Sequence, residues 1–295
     1  MLRIGITSRA LFDLDSSHSI FENEGLEAYK DHQILKENIP LNPGQAFLLV
    51  KKLLNLNNQF KKEKLVEVIL LSRNTADTGL RVFNSIEHHD LDIKKAAFCG
   101  GKSPHVYAKS FGAHLFLSTE FQDCKSSIEN GIASARIIPS KRPFLETDDL
   151  RVAFDGDSVI FSEESQKIFD EKGLKAFDKN EKDLANRPLS GGSFKSFLNE
   201  LYKVQQSFPK TECPIRIALV TARSAPSHER VIKTLREWNI RVDESLFLGG
   251  MDKTSFLKNF GADIFFDDQL ENCKSASLEV PTGQVINFNT RNYAQ

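Results

Sequence analysis

Four aspartates fall in two short clusters, Asp155-Gly156-Asp157 and Asp267-Asp268, and each directly follows an apolar run, Val152-Ala153-Phe154 or Ile264-Phe265-Phe266. Two carboxylates one residue apart can divide labour. One attacks as a nucleophile and the other gives a proton to the leaving oxygen, provided a cation or buried partners keep them in different protonation states. Gly156 lets the first cluster turn tightly. Adjacent acids such as Asp267 and Asp268 repel one another unless a cation lies between them. Oxygen-only ligands at such spacing suit Mg²⁺, which is hard, prefers octahedral geometry and is usually held by one or two carboxylates with phosphate and water. A third apolar run, Ile215 to Val220, leads into Thr221-Ala222-Arg223, a hydroxyl and a guanidinium that suit phosphoryl oxygens. Lys253 lies between the Gly249-Gly250 turn and a helical stretch reaching toward Gly261, where an ammonium can neutralise charge on nucleophile and phosphate together. Taken singly these are a solvated Asp-Gly turn and a surface lysine; taken together they describe a magnesium phosphate site.

Such groups need elements that deliver them to one place. Short apolar runs, including Val152 to Phe154, Ile215 to Val220, Ile264 to Phe266 and Val285 to Phe288, alternate with longer helical patterns such as Ser227 to Asn239. In that helix Val231, Leu235 and Trp238 form an i, i+4, i+7 stripe facing the core. Strands alternating with helices indicate an α/β fold with parallel strands. Ligands of open parallel sheets sit outside the carboxyl ends of the strands, which is where the acids, Thr221 and Arg223 fall.

The chain also repeats itself. At an offset of 149, Phe98 to Ser126 lies on Phe247 to Ser275 with 11 of 29 positions identical, Val68 to Ser72 lies on Ile217 to Thr221, and Arg81-Val82 on Arg230-Val231. Shifting by one residue pairs LRIGITSRALF at the N-terminus with LRVAFDGDSVI at Leu150 to Ile160. The first copy replaces the chemical groups one by one: Thr7 for Asp155, Arg9 for Asp157, Ser72 for Thr221, Pro104 for Lys253, and Ser118-Thr119 for Asp267-Asp268. A fold-driven need for these carboxylates would apply to both copies, so the contrast favours function. Pro139 to Pro143, with two prolines in five residues, is the expected linker. It divides the chain into residues 1–145, which lack the catalytic acids, and 146–295, which carry them. Ser162 to Glu212 has no counterpart of matching sequence in the first half and reads as an insertion above the sheet.

Composition narrows the class. Lys and Arg total 39 against 40 Asp and Glu, a net charge of -1, so no broad basic field exists to attract a nucleic acid polymer or an anionic membrane. No apolar stretch approaches the roughly 18 residues a membrane span needs, and the start has no secretory leader pattern. A cytoplasmic location is expected. Cys99, Cys124, Cys213 and Cys273 are scattered without a C-x-x-C pair and are read as buried thiols. His88-His89-Asp90 is read as a solvated helix end in preference to a transition-metal site.

The set Asp155-Gly156-Asp157-Ser158-Val159, Thr221, Lys253 and Asp267-Asp268 resembles the four motifs of the haloacid dehalogenase superfamily of phosphohydrolases. More narrowly, AFDGDSVIFSEES at Ala153, SRALFDL at Ser8 and FGADIFFDDQ at Phe260 are similar to the type I cytosolic 5'-nucleotidases and their bacterial relatives, a resemblance covering nearly the whole chain. It implies two Rossmann-like three-layer modules related by internal duplication, the second a catalytic core with a helical cap around residues 162–212. It also implies Mg²⁺-dependent hydrolysis of a nucleoside 5'-monophosphate. Asp155 would attack phosphorus to form an aspartyl-phosphate, and Asp157 would protonate the leaving ribose oxygen and then activate water. Thr221 and Lys253 would bind phosphoryl oxygens; Asp155, the backbone carbonyl of Asp157, and Asp267 would hold the metal, with Asp268 in support. In the cap, Gly192 amides could meet phosphate or ribose and Phe194 could stack on a base, against the alternative of a glycine turn before a helix with Phe197 and Leu201 in the core. Arg9 is a candidate for a substrate phosphate or a plain surface charge. Hydrolysis of another small phosphomonoester, or nucleotide binding without turnover, stays open, as does a homo-oligomer.

Overall fold

The computed structural model describes residues 1–60, 62–140 and 149–287. The boundary expected near residue 145, residues 141–143 of the expected linker, and Phe288 lie outside them. The chain forms two compact units, Met1–Pro139 and Ser140–Gln295.

The first unit contains strands β1 (Leu2–Ile6), β2 (Val66–Ser72), β3 (Lys95–Phe98), β4 (Leu115–Ser118) and β5 (Ala133–Ile137), ordered β3-β2-β1-β4-β5. The second contains β6 (Leu150–Phe154), β7 (Ile215–Thr221), β8 (Glu244–Phe247), β9 (Ile264–Asp267) and β10 (Thr282–Val285), ordered β8-β7-β6-β9-β10. Within each unit these neighbours pair in parallel. The α/β reading therefore holds, and both units run third, second, first, fourth, fifth. The strands are buried almost without alternation, as in β2 and β7, because parallel strands are covered on both faces.

In each unit the order reverses at the first strand, which leaves a crevice between the first and fourth strands at their carboxyl ends. Register sets what faces that crevice. Phe154 pairs with Phe266, and the Asp155 N–H donates to the Phe266 carbonyl at 2.8 Å, so Asp155 and Asp267 emerge side by side. Ile6 pairs with Leu117, and the Thr7 N–H donates to the Leu117 carbonyl at 2.9 Å, so Thr7 and Ser118 emerge likewise.

The segment read as an insertion, with no counterpart of matching sequence in the first half, resembles in its helix pattern the segment at the same place in the first unit. In the second unit the helix Glu164–Asp183 is broken at Gly173, whose φ of 75° is left-handed, and the helix Lys195–Gln206 follows. In the first unit the helices Asp15–Glu24 and Leu26–Leu35 flank Gly25, with φ 89°, and Phe47–Gln59 follows. Isolated bridges, Phe12 to Pro43 and Phe161 to Gly191, close the two segments in the same way. Solvated helix faces share few side chains, so the correspondence rests on the glycine break and hardly on sequence.

The helix expected over Ser227 to Asn239 spans His228–Glu237, with Val231 and Leu235 buried. Trp238 is half-buried at its end, its ring 5.6 Å from that of Phe161 with the Lys195 ammonium 4.0 Å above it. Of the thiols, Cys124 and Cys273 are buried as expected, and burial pushes the Cys124 thiol up to about 12; Cys99 and Cys213 are only half-buried. His89 is not solvated: its Nε2 meets the Leu41 carbonyl oxygen at 2.8 Å and its ring packs against Phe12 and Phe47. No helix among the described residues is long and apolar enough to cross a membrane.

Candidate active site

Asp155 follows β6 directly, and the chain then makes one wide turn, closed by the Phe161 N–H donating to the Gly156 carbonyl at 2.9 Å. The left-handed residue of that turn is Ser158, at φ 64°, not the glycine. Gly156 serves a different need: a Cβ there would stand 3.2 Å from the Thr221 hydroxyl oxygen and 3.5 Å from the Phe161 ring. Its missing side chain lets the loop after Asp155 lie against the end of β7.

Asp155, Asp267 and Asp268 each offer a carboxylate oxygen within 4.8 Å of the others. The Lys253 ammonium donates to Asp155 Oδ1 and to Asp267 Oδ2, both at 2.7 Å. Lys253 caps the helix Thr254–Phe260, just after Gly249 and Gly250 at φ 60° and 87°. Asp267 is further held by the Gln269 N–H at 2.8 Å and by Asn272 Nδ2 at 3.1 Å, and Asp268 by Asn287 Nδ2 at 3.2 Å. Three carboxyl groups thus share one ammonium in a buried place. Burial, with Asp267 and Asp157 adding repulsion against the pull of Lys253, pushes the Asp155 carboxyl up to about 7. Burial and then Asp155 and Asp267 raise Asp268 well above the usual carboxylate range. For Lys253, burial works against the charge, but Asp155 and Asp267 outweigh it and raise its pKa. Three carboxyl groups face a single ammonium, which touches two of them and leaves Asp268 without a cation, and the donors are all hard oxygens, so the chemistry of the set fits a divalent ion such as Mg²⁺.

Asp157 belongs to a second cluster. Arg223 donates to it from Nε at 2.7 Å and from Nη2 at 2.6 Å, a side-on pair that fixes the carboxylate's orientation. The remaining Nη1 of Arg223 donates to Glu181 on the broken helix, and Arg230 Nη1 donates to the other oxygen of Glu181 at 2.9 Å. Ser165 also donates to Glu181, at 2.8 Å, and Arg230 Nε donates to the Arg187 carbonyl at 2.9 Å. Glu181 is fully buried; burial alone would raise its carboxyl, but Arg223, Ser165 and Arg230 hold it below the usual range. Arg223, expected to meet phosphate, is thus engaged by carboxylates on both sides. Glu181 and Arg230 were not singled out from sequence. Their one trace was the pairing of Arg230 with Arg81 across the repeat.

Thr221 is buried at the end of β7, its hydroxyl accepting the Arg223 N–H at 3.2 Å beside Gly156. Gly192 and Phe194 follow the second of their two alternatives, a glycine turn before a helix with Phe197 and Leu201 in the core. The Phe194 side chain is fully buried, its ring 4.9 Å from that of Phe266 and within the cluster of Phe154 and Phe197, so it is core and cannot stack on a base. The Gly192 N–H is spent on the Ile160 carbonyl at 2.7 Å, and a Cβ there would meet the Val159 and Phe161 carbonyl oxygens at 2.3 and 2.4 Å. Its role is the close approach of two chain segments. Arg9, in the first unit, donates to Glu120 at 2.9 Å, with His18 at 3.3 Å and Asp15 at 3.9 Å.

A family model described as 5'-nucleotidase matches residues 1–292. Human cytosolic 5'-nucleotidase 1B is 38% identical over 286 residues, covering 93% of this chain and 47% of that protein, so the chain spans about half the length of that curated relative. Histidinol dehydrogenase from Elizabethkingia anophelis aligns over 97% of this chain and 53% of its own at 12% identity and a TM-score of 0.27, too low to bear on fold or chemistry.

Proposed function

The chain belongs to the 5'-nucleotidase family, and we propose that it hydrolyses nucleoside 5'-monophosphates to nucleoside and phosphate at the strand ends of its second unit. The observation that carries this is Asp155: a buried carboxylate at the crevice, fixed by Lys253, beside Asp267 and Asp268, with Asp157 two residues on. Asp155 attacks phosphorus through the oxygen that Lys253 does not hold, and the phosphoryl group passes to it from the ribose oxygen. Asp157, oriented by Arg223, gives the leaving oxygen its proton and then takes one from the water that cleaves the aspartyl-phosphate. Thr221 and Lys253 donate to the phosphoryl oxygens. Asp155, the Asp157 carbonyl and Asp267, supported by Asp268, would hold Mg²⁺. Bound there, the ion would neutralise the charge that otherwise repels nucleophile from phosphate.

The helices after β6 act in this reading as the cap that excludes water, with Glu181 tying them to Arg223 and through it to Asp157. We further read the chain as an internal duplication, divided into residues 1–145 and 146–295. The common strand order, the paired glycine breaks and the paired bridges support it. We read a cytosolic location from the likeness to human cytosolic 5'-nucleotidase 1B.

The test is phosphate release from a panel of nucleoside 5'-monophosphates and sugar phosphates, with Mg²⁺ or EDTA, for the wild type and Asp155→Asn. Magnesium-dependent release that favours intact nucleotides and collapses in the variant is expected. Preference for a substrate without a base would instead indicate another phosphomonoester, and binding without release a regulatory protein.

A further inference from the structure

The first unit keeps the crevice and changes its lining. Thr7, Ser118 and Thr119 stand where Asp155, Asp267 and Asp268 stand, and Arg136 stands beside Ser118 in the register that Gln284 occupies beside Asp267. The four strand-end aspartates of the second unit have no carboxylate counterpart here, so a divalent cation has no comparable ligands. The groups present are hydroxyls and guanidinium, donors suited to an anion.

Two of these hydroxyls are unsatisfied. Thr7 is 7% exposed, and its Oγ1 is buried without a hydrogen-bond partner among the described residues; the Oγ1 of Thr119 is buried and equally without one there. Unpaired buried hydroxyls are costly, and a cluster at a strand-end crevice points to a partner that binds there. The neighbouring hydroxyls, by contrast, are engaged: Ser8 and Ser72 share a hydrogen bond of 3.0 Å, and Ser118 accepts the Glu120 N–H at 3.1 Å.

The charges tell the same way. Arg9 is paired with Glu120, and Arg73 with Asp123. Arg136 donates from Nε to the Thr119 carbonyl at 3.3 Å, and no carboxylate pairs with it among the described residues. A half-buried guanidinium held at a strand end, its two terminal nitrogens uncommitted among the described residues, is a fork for phosphoryl oxygens.

We infer that the carboxyl ends of β1, β4 and β5 form a second binding site, for the phosphoryl group of a small molecule, held by Thr7, Thr119 and Arg136 without a metal and without hydrolysis. The inference stands apart from the proposed activity, because it concerns the unit that lacks the acids.

The test is calorimetric titration of inorganic phosphate into the full chain in EDTA, where the carboxylates of the second unit repel it. One phosphate per chain is expected. Arg136→Gln, a residue already accommodated in this register at Gln284, should weaken binding about tenfold or more, and Thr7→Val about threefold. Asp155→Asn should leave this binding in place. A nucleoside 5'-monophosphate should compete with phosphate, and the unphosphorylated nucleoside should not. Absence of binding at millimolar phosphate, binding that survives both Arg136→Gln and Thr7→Val, or binding that Asp155→Asn alone abolishes would overturn the assignment. Circular dichroism of each variant separates lost binding from lost fold.

Discussion

The two units hold the same arginine in the same place for the same purpose, and surround it with different chemistry. Arg230 Nε donates to the Arg187 carbonyl at 2.9 Å and its Nη1 to Glu181 at 2.9 Å; Arg81 Nε donates to the Ile39 carbonyl at 3.0 Å and its Nη1 to Gln33 at 3.2 Å. In both, a buried guanidinium pins the broken helix pair to the helix that follows the second strand. What differs is the next link. Glu181 continues to Arg223 and Asp157, whereas on the first side Asn74 meets the Tyr29 hydroxyl at 3.0 Å and Arg9 turns to Glu120. The shared contacts belong to the scaffold, and the unshared ones coincide with the residues of the proposed reaction.

Giving the second unit the first unit's residue breaks the comparison most severely. Asp155→Thr should lower phosphate release by about 10⁴-fold or more, since the proposed nucleophile, which acts with its neighbours as a unit, is lost. The fold should survive, because Thr7 occupies the corresponding register position. A variant that keeps more than a tenth of the activity would remove Asp155 from its role.

Next comes the arginine itself. Arg230→Ala leaves the buried Glu181 with Arg223 as its one cation and should cost about 3 kcal/mol. Arg81→Ala leaves the neutral Gln33 and should cost about 1 to 2 kcal/mol. Urea denaturation measures both; equal losses would mean that the charge on Glu181 adds nothing to the shared clamp.

The third effect is one of pH. The Asp155 carboxyl is raised from 3.8 to about 7, so between those values the folded state binds the extra proton, and stability falls as pH rises through that window. In EDTA the melting temperature should therefore drop between pH 5 and pH 7.5. Mg²⁺ should raise it by a few degrees at pH 7.5 and less at pH 5. Asp155→Thr should flatten both trends, and a melting curve of the variant that keeps the slope would assign it to another group.

The smallest change is Glu181→Gln. Gln33 shows that an amide is tolerated beneath this arginine, so stability should fall by only about 1 kcal/mol. Arg223 loses one of its two carboxylates, and kcat should fall about tenfold as Asp157 loses its fixed orientation, with KM little changed. Steady-state kinetics with a nucleoside monophosphate distinguishes this from a structural residue, whose loss would leave kcat per folded molecule intact.

Much of this was legible in the residues. Apolar runs ending in Asp155, Thr221 and Asp267 announced parallel strands with chemistry at their ends, and the match of Phe98 to Ser126 with Phe247 to Ser275 announced two related halves. The helix pairs escaped notice because, at an offset of 148, Gly25 and Leu26 meet Gly173 and Leu174 amid solvent-facing residues under little constraint. Phe194 stays open in the sequence because a phenylalanine after two glycines looks the same whether it faces a ligand or packs on Phe266; only the docking of the helix Lys195–Gln206 distinguishes the two.

The sequence by itself determined the strands, their carboxyl-end acids and the contrast between the halves, since these depend on local periodicity and residue type. The tertiary structure decided which groups meet. Lys253 reaches Asp155 across 98 residues of chain, Arg223 reaches Asp157 across 66, and Arg223 reaches Glu181 across 42. Those meetings follow from strand register and helix packing, which bury several charges together so that each must find its counter-charge, and no local pattern records the partner a buried charge will have.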